Sequence, residues 1–214
     1  MRVMIIGAEG KLGSRLRAAL EKRPEICEVI PITHTPDRVK TVSALIANID
    51  AGIDVSKKGG IFEYLDLFCT FKKPLVIAST GFSPEETHKL EQAGHLIPLV
   101  RSANFSQGIT YFRTLLPSLA RLPVRKVVLS ESHADTKIDT PSGTLLELHR
   151  AFPHAEVVVF RTPHFTAEHT ITLHLGNETV TLKHEAHSRD AFVDGIVEAL
   201  FSICNNHSRT YNCP

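Results

Sequence analysis

What the 214-residue chain lacks narrows its function before any motif is read. Neither charge is in excess: 24 Lys and Arg face 23 Asp and Glu, a formal net charge of +1. Binding by phosphate neutralisation leaves a basic footprint, so nucleic acid is not the expected partner. No apolar run approaches the roughly 20 residues that span a bilayer, and no membrane partner is expected. The N-terminal MRVMIIGAEG has a short apolar stretch that runs straight into a glycine loop. Without a longer apolar region and a small-residue cleavage site it reads as a strand and not as a signal peptide. There is no CxxC pair, and Cys27, Cys69, Cys204 and Cys213 lie far apart. That usage reads as reduced thiols of a cytoplasmic protein, with neither a disulfide nor a zinc framework. Internal repeats and low-complexity linkers are also missing. The length then allows one large domain or two small ones, at roughly 100–200 residues each. One residue type is plentiful: 12 histidines, most of them after residue 130.

The first hundred residues alternate short β runs with helical patterns. Strands are expected at Arg2–Ile6, Glu28–Thr33, Ala51–Val55, Pro74–Ala78 and Leu96–Val100. Pro31 removes a ladder donor from the second, which points to an edge or a bulge. Leu12, Leu16, Ala19 and Leu20 recur at helical spacing, and Ile61–Phe71 reads as another helix. Ser83-Pro84-Glu85-Glu86 spells an N-cap, a proline at the first helical position and a capping-box glutamate. That helix should run to Ala93, with Gly94 ending it. Such alternation predicts a Rossmann-like parallel sheet covered on both faces. The pattern then changes. A helix over 107–119 leads to a strand at Val124–Ser130. Thr140-Pro141-Ser142-Gly143-Thr144 opens a helix with Thr140 as N-cap. Val157–Phe160, His169–Leu175 and Thr179–His187 read as strands, the last two joined at Gly176-Asn177. A final helix covers Asp190–Ile203, and the tail 207–214 should fray. The expected fold class is α/β, a Rossmann-like nucleotide-binding domain plus an α+β domain with a mostly antiparallel sheet. The boundaries are 1–103 and 104–189, with helix 190–214 returning to the first domain.

Gly7-Ala8-Glu9-Gly10-Lys11-Leu12-Gly13 follows a strand and opens a helix, the context a dinucleotide loop requires. The first glycine permits the tight turn, the second lets N–H groups approach a pyrophosphate, and the third allows close helix packing. The spacing is GxxGxxG, often associated with NADP. The end of the second strand normally supplies an acid for the ribose of NAD. Here that position is His34, and Arg38 and Lys40 nearby would suit a 2′-phosphate. An extended short-chain dehydrogenase also starts with GxxGxxG but needs Lys four residues after Tyr. Tyr64 and Tyr111 are followed at that offset by Phe68 and Leu115, and Tyr211 by nothing, so that class is excluded. In Glu131-Ser132-His133-Ala134-Asp135-Thr136-Lys137, His133 and Lys137 offer a proton-transfer group beside a cation. The Ser142-Gly143-Thr144 that follows would hold a carboxylate at a helix start.

At this point the sequence resembles a family. ESHADTKIDTPSGT is similar to the signature E-[AS]-H-x-x-x-K-x-D-x-P-S-G-T of the 4-hydroxy-tetrahydrodipicolinate (dihydrodipicolinate) reductases of bacterial lysine and diaminopimelate synthesis. GAEGKLG resembles the family's GAxGxMG, Ser79-Thr80-Gly81-Phe82 its TTGF, and Ala103-Asn104-Phe105-Ser106-Gln107-Gly108 its ANFSxG. Ala167-Glu168-His169-Thr170 resembles GEHT, and His187-Ser188-Arg189 resembles S-S-R. All six occur in family order. The resemblance implies an NAD(P)H-dependent reductase acting on a cyclic dicarboxylate imine, with either NADPH or NADH as cofactor. Gly7, Ala8, Gly10, Lys11, Leu12 and Gly13 would line the cofactor loop, with His34 and Arg38 at the adenosine end. Ser79, Thr80 and Gly81 would lie near the nicotinamide, and Ala103, Asn104 and Phe105 at the domain crossing. His133 takes the acid/base position and Lys137 that of the essential lysine. Lys137, Ser142, Gly143, Thr144 and Arg189 would bind the substrate carboxylates. A homotetramer joined through the second domain's sheet is the family expectation. Alternatives from other classes are a cofactor-binding relative without turnover and a related amino-acid dehydrogenase.

The chain departs from the family in four places. Ala134 replaces a second histidine, and His34 replaces an acid. Asp54-Val55-Ser56-Lys57 stands for Asp-Phe-Thr, and Arg161–Thr166 replaces a longer loop. No metal site is expected. His184-Glu185-Ala186-His187 is one residue short of HExxH and lies in a strand, where that offset points to opposite faces. His169 and His174 also fall on opposite faces.

Overall fold

The computed structural model describes residues 1–57, 59–164, 166–205, 211 and 212. Its chain forms two compact units, Met1–Phe105 with Phe192–Pro214, and Ser106–Ala191. In chain order the first hundred residues give β1 (Arg2–Ile6), α1 (Gly13–Leu20), β2 (Glu28–Ile32), α2 (Arg38–Leu45), β3 (Ala51–Asp54), α3 (Leu65–Thr70), β4 (Leu75–Ile77), α4 (Pro84–Gly94) and β5 (Leu99–Arg101). Then follow α5 (Gln107–Leu119), β6 (Lys126–Ala134), α6 (Gly143–Ala151), β7 (Glu156–Thr162), β8 (Ala167–His174), β9 (Thr179–Glu185) and α7 (Asp190–Asn205).

The first unit is built on a parallel sheet ordered β5-β4-β3-β1-β2, with a two-residue strand, Tyr211–Asn212, added beside β5. β3 and β4 are buried along their whole length, as strands covered on both faces must be. Strand alternation sorts their side chains into two cores. Met4, Ile6, Leu75 and Ile77 join Val42, Phe68 and Leu90 on the face of α2, α3 and α4. Val3, Ile5, Ile53 and Val76 join Leu16, Leu20, Val193, Ile196 and Leu200 on the face of α1 and α7. Each such side chain contributes roughly 1.5–3 kcal/mol when fully buried. β2 is the edge strand, which accommodates Pro31. The capping box at Ser83 forms as its sequence predicts, with Ser83 Oγ accepting from the Glu86 amide and Glu86 accepting from the Ser83 amide.

The second unit carries a mixed sheet ordered β7-β6-β8-β9, parallel between β6 and β7 and antiparallel elsewhere. Ile109 and Phe112 of α5 and Leu145 and Leu148 of α6 cover one face, over Val127, Leu129, Ile171 and Leu173. Arg113 of α5 forks onto Glu147 of α6, with nitrogen–oxygen distances of 2.6 and 2.9 Å, and so ties the two helices. The expected fold class holds: a Rossmann-like parallel sheet with helices, plus a mostly antiparallel four-stranded sheet.

Local boundaries differ where polar residues interrupt apolar patterns. β6 runs to Ala134 instead of stopping at Ser130, because Glu131 and His133 occupy inward positions that hydrophobic alternation does not reveal. β7 likewise takes in Arg161 and Thr162. α6 starts at Gly143 with Ser142 as N-cap; Thr140 is not the cap, since it is Ser142 Oγ that accepts from the Leu145 amide. The helix expected over 61–71 divides into a 3₁₀ turn at Gly60–Glu63 and α3. The charged segment after β2 is helix α2. β5 begins at Leu99, and α4 includes Gly94. Of the tail 207–214, residues 207–210, 213 and 214 lie outside the described residues, Cys213 among them, while Tyr211–Asn212 is a strand. Among the described residues, Cys27, Cys69 and Cys204 are free thiols, and no helix is long and apolar enough to cross a membrane.

Candidate functional site

In the first unit, β2 and β3 flank β1, so the chain reverses its direction of travel across the sheet at β1. Ligands of open parallel sheets gather beyond the carboxyl ends of the strands at such a point. The Gly7–Leu12 loop leaves β1 there. Gly7 has φ +86°, and a Cβ on it would lie 2.7 Å from the Ser56 Cα, just past β3. A Cβ on Gly13 would lie 2.2 Å from the Gly7 carbonyl oxygen. Both positions therefore exclude a side chain, and the loop is a cradle bounded by backbone. The Gly10 amide donates to the Gly7 carbonyl at 3.1 Å, which closes the turn. Ala8 is buried, whereas Glu9, Gly10 and Lys11 are exposed. α1 then starts behind Leu12 with no acid in its first turn and, among the described residues, no side-chain cap. Its N–H groups and the positive end of its dipole suit an anion. These residues fit a dinucleotide pyrophosphate.

Ser79, Thr80 and Gly81 follow β4, with Ser79 buried and Gly81 exposed. Ser79 Oγ donates to Asp54, the last residue of β3, and so do the amide and hydroxyl of Ser56. Asp54 is fully buried, and that burial pushes its carboxyl above the usual carboxylate range in spite of these bonds. It fastens the loop after β3 to the loop after β4. Sequence reasoning had noted Asp54 only as part of a departure, not as a site residue. Asn104 and Phe105 are buried and Ala103 exposed; Ser102 Oγ donates to the Asn104 carbonyl at 2.8 Å. His34 is exposed, and Arg38 is the first residue of α2. Arg38 is engaged by Glu63, with Nε–Oε2 2.8 Å and Nη2–Oε1 2.9 Å. Lys40 stands 3.5 Å from Asp37 on the surface.

In the second unit the register of the sheet makes the site. Along the helix-covered face, Leu129 pairs with Ile171, and Ile171 with Leu182. The next row is Glu131, His169 and His184, and the row beyond sets His133 opposite Ala167 and Arg161. The face thus turns from apolar to ionisable in one step of the pleat. Glu131, His133 and His169 are all buried. Glu131 accepts from the Ser142 amide at 3.1 Å through both oxygens, and from Arg161 Nη1 at 3.2 Å. His133 Nε2 lies 3.6 Å and His169 Nε2 3.9 Å from Glu131 Oε2. Burial opposes ionisation of Glu131, but the His133 ring and the Ser142 hydroxyl and amide outweigh it and hold the carboxyl at about 2. Burial first, and then the charge of His133, push His169 down to about 3, so it is neutral at physiological pH. The rings form an array, with centroids 5.0 Å apart for His133 and His169 and 6.3 Å for His169 and His184.

Ser142 joins this row to α6. Its hydroxyl caps the helix and lies 3.3 Å from His169 Nε2, while Gly143 and Thr144 form the first turn. Lys137, past the end of β6, pairs with Asp139 at 2.8 Å. Arg189 lies in the bend before α7. The structure therefore brings His133 and Ser142 together through Glu131, and seats Lys137 and Arg189 on separate segments. Sequence reasoning missed Glu131, Arg161 and His184. Glu131 was quoted within its motif, Arg161 was read as part of a shortened loop, and His184 only as part of a pattern one residue short of HExxH. His184 is half-buried, 3.2 Å from Ser106 Oγ, the N-cap of α5. Ligating atoms of Glu131, His133 and His169 lie within 4.8 Å of one another. The Arg161 cation on the same carboxylate makes that arrangement an ion-pair network more than a metal nest.

Comparison with known proteins agrees with both halves. Residues 1–105 match the family model for the dihydrodipicolinate reductase N-terminus, and residues 108–213 that for its C-terminus. The chain is 29% identical to the 4-hydroxy-tetrahydrodipicolinate reductase of Staphylococcus aureus strain MSSA476, over 99% of this chain and 98% of the relative. The same identity and coverage hold for that of Staphylococcus haemolyticus strain JCSC1435. The first alignment runs over 238 positions, more than the 214 residues of this chain, so gaps fall within this chain. In fold it is similar to the dipicolinate-bound dihydrodipicolinate reductase from Paenisporosarcina sp. TG-14, with a TM-score of 0.80 at 20% identity, covering 99% of this chain and 97% of that one. Aspartate dehydrogenase from Thermotoga maritima shares the fold more loosely, with a TM-score of 0.57 at 13% identity over 94% and 96% of the two chains. Both halves of the sequence carry the same assignment: this chain belongs to the dihydrodipicolinate reductase family of NAD(P)H-dependent oxidoreductases.

Proposed function

We propose that this chain catalyses the NAD(P)H-dependent reduction of 4-hydroxy-tetrahydrodipicolinate to tetrahydrodipicolinate in lysine and diaminopimelate biosynthesis. The observation that carries the reading is the coupling, through Glu131, of a buried histidine to the Ser-Gly-Thr helix start. A cyclic dicarboxylate imine needs both a proton donor and a place for its carboxylates, and the end of β6 and the start of α6 supply them. Residues 1–103 with the C-terminal segment 190–214 act as the dinucleotide-binding domain, and 104–189 as the substrate-binding and oligomerisation domain.

Gly7, Ala8, Gly10, Lys11, Leu12 and Gly13 hold the pyrophosphate against the start of α1, and His34 and Arg38 face the adenosine end. Ser79, Thr80, Gly81, Ala103, Asn104 and Phe105 border the nicotinamide. When bound, the reduced nicotinamide supplies a hydride to substrate C4, from which the 4-hydroxyl has left as water. His133 assists proton transfer, with the Glu131 carboxylate 3.6 Å from its Nε2. Lys137 and Arg189 offset the carboxylate charge, and the amides of Gly143 and Thr144, at the α6 start that Ser142 caps, donate to one carboxylate. The assembly is a homotetramer joined through the sheet of the second domain, in the cytoplasm.

The test mixes purified protein with freshly generated substrate and either NADH or NADPH, and follows nucleotide oxidation. Protein-dependent oxidation with at least one nucleotide is the expected result; none with either overturns the proposal. A Lys137→Ala variant with an unchanged rate would overturn the site assignment alone.

A further inference from the structure

The adenosine end of the first unit holds a carboxylate that the motif at the end of β2 does not contain. The residue after β2 that usually is an acid is His34, yet Glu63, in the 3₁₀ turn that follows β3, brings a carboxylate to Arg38 at the start of α2. It takes the Nε–Nη2 edge of Arg38 in a fork with distances of 2.8 and 2.9 Å. Arg38 Nη1 is given to the Thr35 carbonyl at 3.0 Å. His34 lowers the carboxyl of Glu63, secondary to Arg38, so it too lies close enough to act on it. The Tyr64 hydroxyl, on the next residue, interacts with both members of the pair.

We infer that Glu63 is a specificity-determining residue that sets this chain against NADPH and in favour of NADH. The inference rests on the cofactor reading above. A 2′-phosphate brings nearly two negative charges to this corner. It must either take Arg38 from a carboxylate already seated bidentately, which leaves Glu63 uncompensated beside it, or stand beside a pair whose cation is already engaged. The 2′-hydroxyl of NADH meets no such conflict, because a carboxylate accepts a hydrogen bond from a ribose hydroxyl. Arg38, taken from the sequence alone, points to NADPH. Its fork onto Glu63 reverses that reading. The pair is part-exposed, with side chains 24% and 39% accessible, so it is a bias and not an absolute gate.

Fluorescence titration of the protein with NADH and with NADPH, without substrate, tests this directly. Glu63→Gln keeps the shape of the side chain and removes its charge. It should raise the NADPH-to-NADH affinity ratio by roughly five- to tenfold, the scale of one part-exposed like-charge contact. Glu63→Ala should move the ratio the same way. Adding Arg38→Ala to Glu63→Gln should abolish the gain, because the freed guanidinium supplies it. A ratio unchanged in both single variants overturns the inference while leaving the cofactor reading intact. Equal weakening of both nucleotides overturns it as well, since Glu63 then only supports the fold. Failure of the unmodified protein to bind either nucleotide overturns the cofactor reading and this inference with it.

Discussion

The two candidate sites are made of opposite materials. The loop after β1 is a site of omission: Gly7 and Gly13 leave room by having no side chain, and the binding groups are main-chain amides. The row on the second sheet is a site of addition, in which Glu131, His133, His169 and Arg161 are placed inside a face that is otherwise apolar. The first costs little to keep folded, because backbone already satisfies backbone. The second asks the fold to bury a carboxylate and two imidazoles, which is tolerated only because hydrogen bonds and opposite charges surround the carboxylate. Omission tolerates no added atom; addition tolerates no lost partner.

The largest effect should fall on catalysis. His133→Gln and Lys137→Ala are each expected to lower kcat by about 10²- to 10⁴-fold, the usual contribution of a positioned proton-transfer group or charge. Steady-state rates with unaltered nucleotide binding would confirm that the loss lies in the second unit; equal loss of nucleotide binding would erase the distinction between the sites. Next comes Gly7→Ala, which forces a side chain into a positive φ and against Ser56. It should cost about 2–4 kcal/mol in denaturant unfolding and abolish nucleotide binding. Should it do neither, the loop is not a site of omission.

The pH dependence is a third test, specific to the second site. The folded pKa of His169 is about 3 against an ordinary 6.5, so below pH 6.5 the unfolded chain binds a proton that the folded chain refuses. Glu131, at about 2 against 4.5, adds to the same trend below pH 4.5. Both stabilising effects are complete above these unfolded values and fade as pH falls toward the folded ones. His169→Gln should therefore flatten the fall of stability between pH 6.5 and 4.5, by up to about 1.4 kcal/mol per pH unit. An unchanged slope in urea titrations across that range would show that His169 accepts its proton freely. The smallest effect is expected for Ser142→Ala, about 1 kcal/mol from the lost cap, since the amide bond to Glu131 survives the change.

The same contrast explains what the sequence made legible. The GAEGKLG loop is read from seven consecutive residues, and each glycine there has a local reason. The parallel sheet was legible too, through apolar runs such as Val3–Ile6 and the edge position that Pro31 imposes on β2. The second site was only half legible. His133 was identified through its motif, but the partners of Glu131 come from positions 142, 161 and 169, and only strand register and the return of the chain into α6 join them. Glu131 itself interrupted the apolar alternation by which the end of β6 was judged. Glu63 was missed for the same reason: nothing near it in sequence says that it will meet Arg38, 25 positions away.

Ser142 has a consequence for how this chain can change over generations. Its hydroxyl holds the Leu145 amide and borders His169, its own amide holds Glu131, and only 2% of it reaches solvent. A larger side chain has nowhere to go, a proline would remove the amide, and an aliphatic one would leave the helix uncapped. Neighbouring positions such as Ile138, which is 98% exposed, are free to drift. This stretch of sequence therefore carries a constraint of packing on an inconspicuous serine, beside the constraint of chemistry that falls on His133.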